Sequence, residues 1–134
     1  MDWKLELVVV PVSNVDRAKR FYGEQVGFVV DFDHQATDRM RLVQLTPPGS
    51  ACSIAVGTGL SSSPPGSLKG LQLVVSDVEA ARAELVERGV EVSEIRHMDQ
   101  GVWKAGRGGR WNSFLFFDDP DGNSWTVQER PTTE

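Results

Sequence analysis

Cysteine is all but missing from this chain of 134 residues. Cys52 stands alone, so neither an internal disulfide nor a cysteine-based zinc cluster can form. It sits in Ala51–Val56, a strand-like run, and reads as a buried, inert thiol. Histidine is nearly as scarce: His34 lies in the polar stretch Asp33–Arg41, and His97 follows a strand. Both read as solvent-facing or hydrogen-bonded side chains before they read as a base or a ligand. Positive charge is in deficit. Fourteen Lys and Arg stand against nineteen Asp and Glu, a net charge of -5. That balance argues against a nucleic-acid partner and against an anionic membrane surface. No apolar run approaches membrane-spanning length, and the start Met1-Asp2-Trp3-Lys4 lacks the pattern of a signal peptide. A cytoplasmic location is the expectation.

What is present is most informative in Phe114–Arg130, FLFFDDPDGNSWTVQER. An apolar strand, a tight Asp-Pro-Asp-Gly-Asn turn and an alternating strand follow one another. The chain also says the same thing twice. Leu5–Val12 reads as a strand, Ser13-Asn14 as a helix cap, and Val15–Val26 as a helix with Val15, Ala18, Phe21, Tyr22 and Val26 along one stripe. Leu71–Val75, Ser76-Asp77 and Val78–Arg88 repeat the sequence strand, cap, helix, and Gly27 and Gly89 close the two helices. Val12–Asp16 and Val75–Glu79 match at an offset of 63 positions. Further strands are expected at Gly27–Asp33, Met40–Leu45 and Cys52–Val56. The second half offers Val90–Arg96, Ser113–Phe117 and Trp125–Glu129, with 98–112 as a loop.

Each half is therefore β-α-β-β-β. The expected architecture is α+β: two tandem βαβββ modules forming a curved mixed sheet with helices on the convex face. Module 1 covers about 4–60 and module 2 about 67–130. They form one domain joined by Ser61–Gly66, a turn-rich linker with nothing to pack.

The segments LVVVPVSNVDRAKRFYGEQVGF, GLQLVVSDVEAARAELVERGVEV and FFDDPDGNSWTVQER resemble the vicinal-oxygen-chelate superfamily of glyoxalase, bleomycin-resistance and extradiol-dioxygenase proteins. The resemblance covers Lys4 to Arg130. In metal-using members it implies ligands at four strand positions, which fall here on Leu7, Ser53, Gly70 and Thr126. Leu and Gly have no donor atom, and two neutral hydroxyls do not hold a divalent transition metal. A slip of two residues brings in Gln72 and Gln128, which is still a weak set. No metal and no cofactor is the expectation, with a divalent metal as the alternative.

The implied positions set which residues face the trough. Leu7, Val9, Ser53, Gln72, Thr126 and Gln128 face it, joined by Phe114, Phe116 and Gln44, the last matching Phe116 in the first half. Leu115, Phe117, Trp125 and Val127 fall on the helix side. Trp103 and Trp111 flank the glycine-rich basic run Lys104–Arg110. A planar ring stacked between them would let Arg107 or Arg110 meet an anionic or carbonyl group. Subunit packing is the competing reading for both tryptophans.

The lining is apolar and aromatic with a few amides and hydroxyls, and no catalytic residue is singled out. Together with the resemblance it implies a small-molecule binding protein of the bleomycin-resistance type. Such a protein would hold a bulky aromatic or drug-like ligand, such as an antibiotic, without altering it, and would pair as a homodimer. The alternative is a glyoxalase-like lyase or isomerase, or a dioxygenase.

Overall fold

The computed structural model describes residues 1–132. Contacts divide the chain into two units. The first comprises Met1–Leu68 together with the turn Asp119–Asn123; the second comprises Lys69–Asp118 and the chain from Ser124 onward.

In the first unit the elements are β1 (Leu7–Val9), α1 (Val15–Arg20), a π-helical turn (Phe21–Val26), β2 (Val29–Thr37), β3 (Met40–Thr46) and β4 (Ser53–Thr58). The sheet order is β1-β4-β3-β2, with β1 parallel to β4 and the other pairs antiparallel. Asn14 caps α1: its side chain accepts from the Arg17 N–H at 3.0 Å. Asp16 in the first turn and Lys19 and Arg20 in the last suit the helix dipole.

The single helix expected over Val15–Val26 widens instead after Arg20. The Tyr22 carbonyl accepts from Gly27, an i→i+5 bond, and from Phe28 at 2.8 Å, which closes the turn. That closure stacks the Phe28 ring on Tyr22 with centroids 5.8 Å apart. Ala18, Phe21, Tyr22 and Phe28 are buried, as are Val10 just after β1 and Val43, Leu45, Ile54 and Val56 from the sheet.

The second unit holds β5 (Leu71–Val75), α2 (Val78–Glu87), β6 (Arg96–Asp99), β7 (Val102–Ala105), β8 (Phe114–Asp118) and β9 (Ser124–Glu129). Its sheet order is β5-β9-β8-β6-β7, and β5 runs parallel to β9. The repeat seen in sequence is a repeat of structure. Asp77 caps α2 as Asn14 caps α1, accepting from Ala80 N–H at 3.0 Å. Both caps have extended backbone, with φ -138° at Asn14 and -146° at Asp77. Leu115, Phe117, Trp125 and Val127 are buried with Val78 and Leu85 of the helix. The fold is α+β, with two βαβββ-like modules.

Two segments depart from the sequence reading. Val90–Ile95 carries no strand; β6 begins at Arg96, where the expected strand ends. Residues 98–112 are not loop throughout, since β7 pairs with β6 in a hairpin, Met98 opposite Trp103. Its two central residues, Gln100 (φ 50°) and Gly101 (φ 80°), both have positive φ, the condition for a turn that matches strand twist. Gln-Gly is a weaker turn signal than Asn-Gly, which is why alternation alone did not reveal it.

The Ser61–Gly66 linker is also not free of packing. Gly66 is buried, its N–H donates to the Pro11 carbonyl at 3.1 Å, and a Cβ there would meet the Asp121 carbonyl oxygen at 2.0 Å. Only glycine allows that approach. Around it lies a buried polar knot. Asp119 accepts from the Tyr22 hydroxyl (2.7 Å), the Asn123 side-chain amide (2.7 Å) and the N–H groups of Asp121 and Asn123 (2.9 Å each). Asn123 also donates to the Pro11 carbonyl at 2.8 Å and accepts from the Leu68 N–H at 3.0 Å. The Asp-Pro-Asp-Gly-Asn turn is thus a structural clasp of the first unit.

Candidate functional site

Strand pairing places the site residues face by face. In the first unit Leu7 lies opposite Ser53, and Val9 and Gln44 both lie opposite Ala55, so these side chains share one face of the sheet. Polar groups on it are already bonded to each other. Thr46 Oγ1 is 2.7 Å from Ser53 Oγ and donates to Asp31, which also accepts from Gln44 Nε2 at 3.2 Å. Asp31 and Thr46 were not singled out from sequence. A register shift between Val30 and Phe32 brings Asp31 into this chain, and alternation gives no signal for such a bulge.

In the second unit the face opposite α2 is aromatic. Trp103 meets Phe114 and Phe116 edge-on, with ring centroids 5.3 and 5.1 Å away. Phe114 lies opposite Gln128, and Phe116 and Gln72 both lie opposite Thr126. Gln72 Nε2 donates to Gln128 Oε1 at 2.7 Å, and Gln128 Nε2 donates to the Trp111 carbonyl at 2.8 Å. Trp103 keeps 44% of its surface exposed although it stands on a strand. Its hairpin is fastened by Asn112, whose side chain accepts from Met98 N–H and donates to Met98 O, each at 2.8 Å. Arg96 lays its guanidinium over the Phe116 ring, 5.8 Å from the centroid. Arg96, Met98 and Asn112 escaped the sequence reading because β6 was placed one strand-length too early.

Arg107, Arg110 and Trp111 come together beside the start of α2. They line a cavity of about 440 Å³, together with Asp77, Glu79 and Glu129. Arg107 is engaged there in a two-point ion pair with Glu129. Glu129 also accepts from Val78 N–H at 2.9 Å. The Arg107 guanidinium holds the Glu129 carboxyl below its usual range, against the opposing effect of burial. Trp111 adopts φ 62°, a left-handed backbone uncommon for a bulky side chain, and starts no strand.

Other candidates resolve simply. His97 Nδ1 donates to the Gly106 carbonyl at 2.9 Å, and His34 is exposed. Cys52 is half-buried rather than buried, its Sγ 3.6 Å from the Ser53 carbonyl. The four implied metal positions do not fit a metal: Leu7 and Gly70 offer no donor, and the Ser53 hydroxyl is taken by Thr46. Among the described residues no three His, Cys, Asp or Glu side chains gather where they could hold an ion. Among the same residues no helix is long and apolar enough to cross a membrane.

With this geometry in view, the comparisons with known proteins are informative. The family model described as Glyoxalase/Bleomycin resistance protein/Dioxygenase superfamily matches residues 4–127. Among solved structures, TnmS3, an antibiotic binding protein from Streptomyces sp. CB03234, is 35% identical with a TM-score of 0.77; the match covers 96% of this chain and 97% of that one. A glyoxalase/bleomycin resistance protein from the same Streptomyces strain is also 35% identical, with a TM-score of 0.74 and coverage of 93% and 99%. A superfamily member from Sphaerobacter thermophilus DSM 20745 is 28% identical, with a TM-score of 0.76 and coverage of 96% and 98%. No curated protein matches the chain significantly.

Proposed function

The chain belongs to the glyoxalase/bleomycin resistance protein/dioxygenase superfamily, and from that premise we propose that it is a metal-independent binding protein that sequesters a bulky aromatic small molecule, such as an antibiotic. The observation that carries this reading is the aromatic face of the second unit. Trp103, Phe114 and Phe116 form a surface of rings bordered by the amides of Gln72 and Gln128. Edge-to-face rings on rigid strands stay in place and offer a planar ligand stacking area at little entropic cost. The likeness to an antibiotic binding protein at 35% identity supports the same reading. The mechanism is mass action: a bound molecule is withdrawn from its target. We extend the proposal to a cytoplasmic homodimer, in keeping with the exposed Trp3, Leu5 and Phe32 side chains.

The test is tryptophan fluorescence during titration with a panel of aromatic antibiotics, run on native protein and on Trp103→Ala. Quenching with a dissociation constant in the micromolar range or below is expected, together with a raised Tm. Loss of the Trp103 side chain is expected to weaken binding about tenfold or more, since one stacked ring contributes on the order of 1 kcal/mol beyond its buried area. Absence of quenching and of any Tm shift across the panel overturns the reading. So does a stoichiometric divalent ion in protein purified without a histidine tag, because the proposal is metal-independent. Sedimentation reads the dimer directly.

A further inference from the structure

The sequence assigns the role of meeting an anionic or carbonyl group to Arg107 or Arg110. The structure occupies Arg107 otherwise: both its terminal nitrogens bind Glu129 in the cavity beside α2. The aromatic face nevertheless carries a cation. Arg96 on β6 lies opposite Ala105 and Phe114, and its guanidinium sits over the Phe116 ring. We propose that Arg96 reads an acidic group on the ligand, so that this face selects planar aromatic molecules bearing a carboxylate. This inference rests on the proposed ligand-binding function of the same face.

The physical case has three parts. A guanidinium with one flat side against a ring still presents its N–H edge, and that edge matches the two oxygens of a carboxylate. Its charge is poorly spent at home. Among the described residues Arg96 pairs with Glu94 in a long contact of 3.7 Å, with side chains 40% and 59% exposed, a pairing that contributes little. And apart from Glu94, its partner in that long contact, the residues around Arg96 on this face carry no charge. Gln72, Thr126 and Gln128 from β5 and β9, Phe114 and Phe116 from β8, and Met98 and Trp103 from the hairpin carry no ionisable group. Asp118 is exposed at the far end of β8, where it pairs with Ser124. Lys104 and Asp99 pair with each other on the other side of the hairpin. A carboxylate docked here would meet one full positive charge above rings that exclude water, while a neutral isostere would gain only ordinary hydrogen bonds.

Two probes of the same shape separate charge from stacking: anthracene-2-carboxylate and anthracene-2-carboxamide, titrated against full-length protein at pH 7 by tryptophan quenching and calorimetry. The carboxylate is expected to bind about tenfold tighter than the amide, the usual advantage of a charge-assisted over a neutral hydrogen bond. In Arg96→Gln that gap is expected to close, with the carboxylate losing far more affinity than the amide. In Arg96→Lys a reduced preference for the carboxylate is expected to remain, since charge survives but the planar fork does not. The preference is also expected to shrink in high salt. Equal affinity for the two probes in native protein overturns the role of Arg96 and leaves the aromatic site standing. Equal weakening of both probes in Arg96→Gln does the same, because it marks a packing role. If neither probe quenches and Trp103→Ala changes nothing, the ligand-binding reading itself falls, and this inference with it. Melting curves of the variants confirm folding; Arg96 is exposed enough that neither substitution is expected to shift Tm appreciably.

Discussion

At the residue scale the most constrained group is the Tyr22 hydroxyl. Tyr22 is fully buried, and its hydroxyl donates to a carboxylate that three other donors share. Burying a carboxylate is costly unless such donors surround it. Tyr22→Phe removes one of the four and keeps the ring stacked on Phe28. The expected cost is about 1.5–3 kcal/mol, the range for a hydrogen bond to a charged group. Asn123→Ala removes three bonds at once, two donated and one accepted, and leaves the Pro11 carbonyl and the Leu68 N–H without that partner. It is expected to cost more than Tyr22→Phe by at least 1 kcal/mol. Urea unfolding of the two variants checks the order. If Asn123→Ala proves the milder change, the knot is not what holds the turn in place. The sequence named this turn for its backbone chemistry alone; that Asp119 reaches Tyr22, 97 positions away, lies beyond any spacing rule.

At the element scale, the hairpin β6–β7 matters most to the proposed function, because it delivers Trp103 and Arg96. It is short, and among the described residues β7 is the edge strand of its sheet. Four-residue strands of this kind are marginal unless fastened. Asn112 supplies the fastening by bonding both backbone groups of Met98. Asn112→Ala is therefore expected to raise the hydrogen-exchange rate of amides in residues 96–105 and to weaken aromatic ligands several-fold. Exchange in Leu115 and Val127, in the buried part of the sheet, is expected to stay as it was. Uniform acceleration across the unit would mean instead that Asn112 supports the whole sheet. Much of the rest was legible at this scale. The two caps and the split of Phe114 and Phe116 from Leu115 and Phe117 follow from alternation and a repeated motif. The hairpin was not legible, because the extended Val90–Ile95 segment looks as strand-like as β6 itself. What decides between them is pairing partners across the sheet, and those are nonlocal.

At the scale of the whole molecule, the chain passes between its two units more often than a linker requires. It leaves the first unit after Leu68, returns at Asp119 and leaves again after Asn123. The returning turn satisfies groups from the opening part of the chain. Ser13 donates through N–H (3.0 Å) and hydroxyl (2.5 Å) to Asp121, Arg17 pairs with Asp121 at 3.1 Å, and Tyr22 and Pro11 bond to Asp119 and Asn123. A fragment ending at Leu68 would keep its sheet residues but lose every one of these partners. Of these groups Tyr22 and Pro11 are buried, and buried polar groups left unpaired cost about 1–3 kcal/mol each, a large share of the stability of a unit so small. The 1–68 fragment is thus expected to be unfolded alone, by circular dichroism and amide dispersion, and to gain structure when mixed with 69–134. Intact protein is expected to melt in one calorimetric transition whose van't Hoff and calorimetric enthalpies agree. Repeated modules joined by an exposed linker would ordinarily be free to melt one at a time. Here the later module's turn completes the earlier module's interior, and that shared piece makes independent unfolding expensive. Two resolved transitions, or a cooperatively folded 1–68 fragment, would show that the turn decorates the first unit and does not complete it.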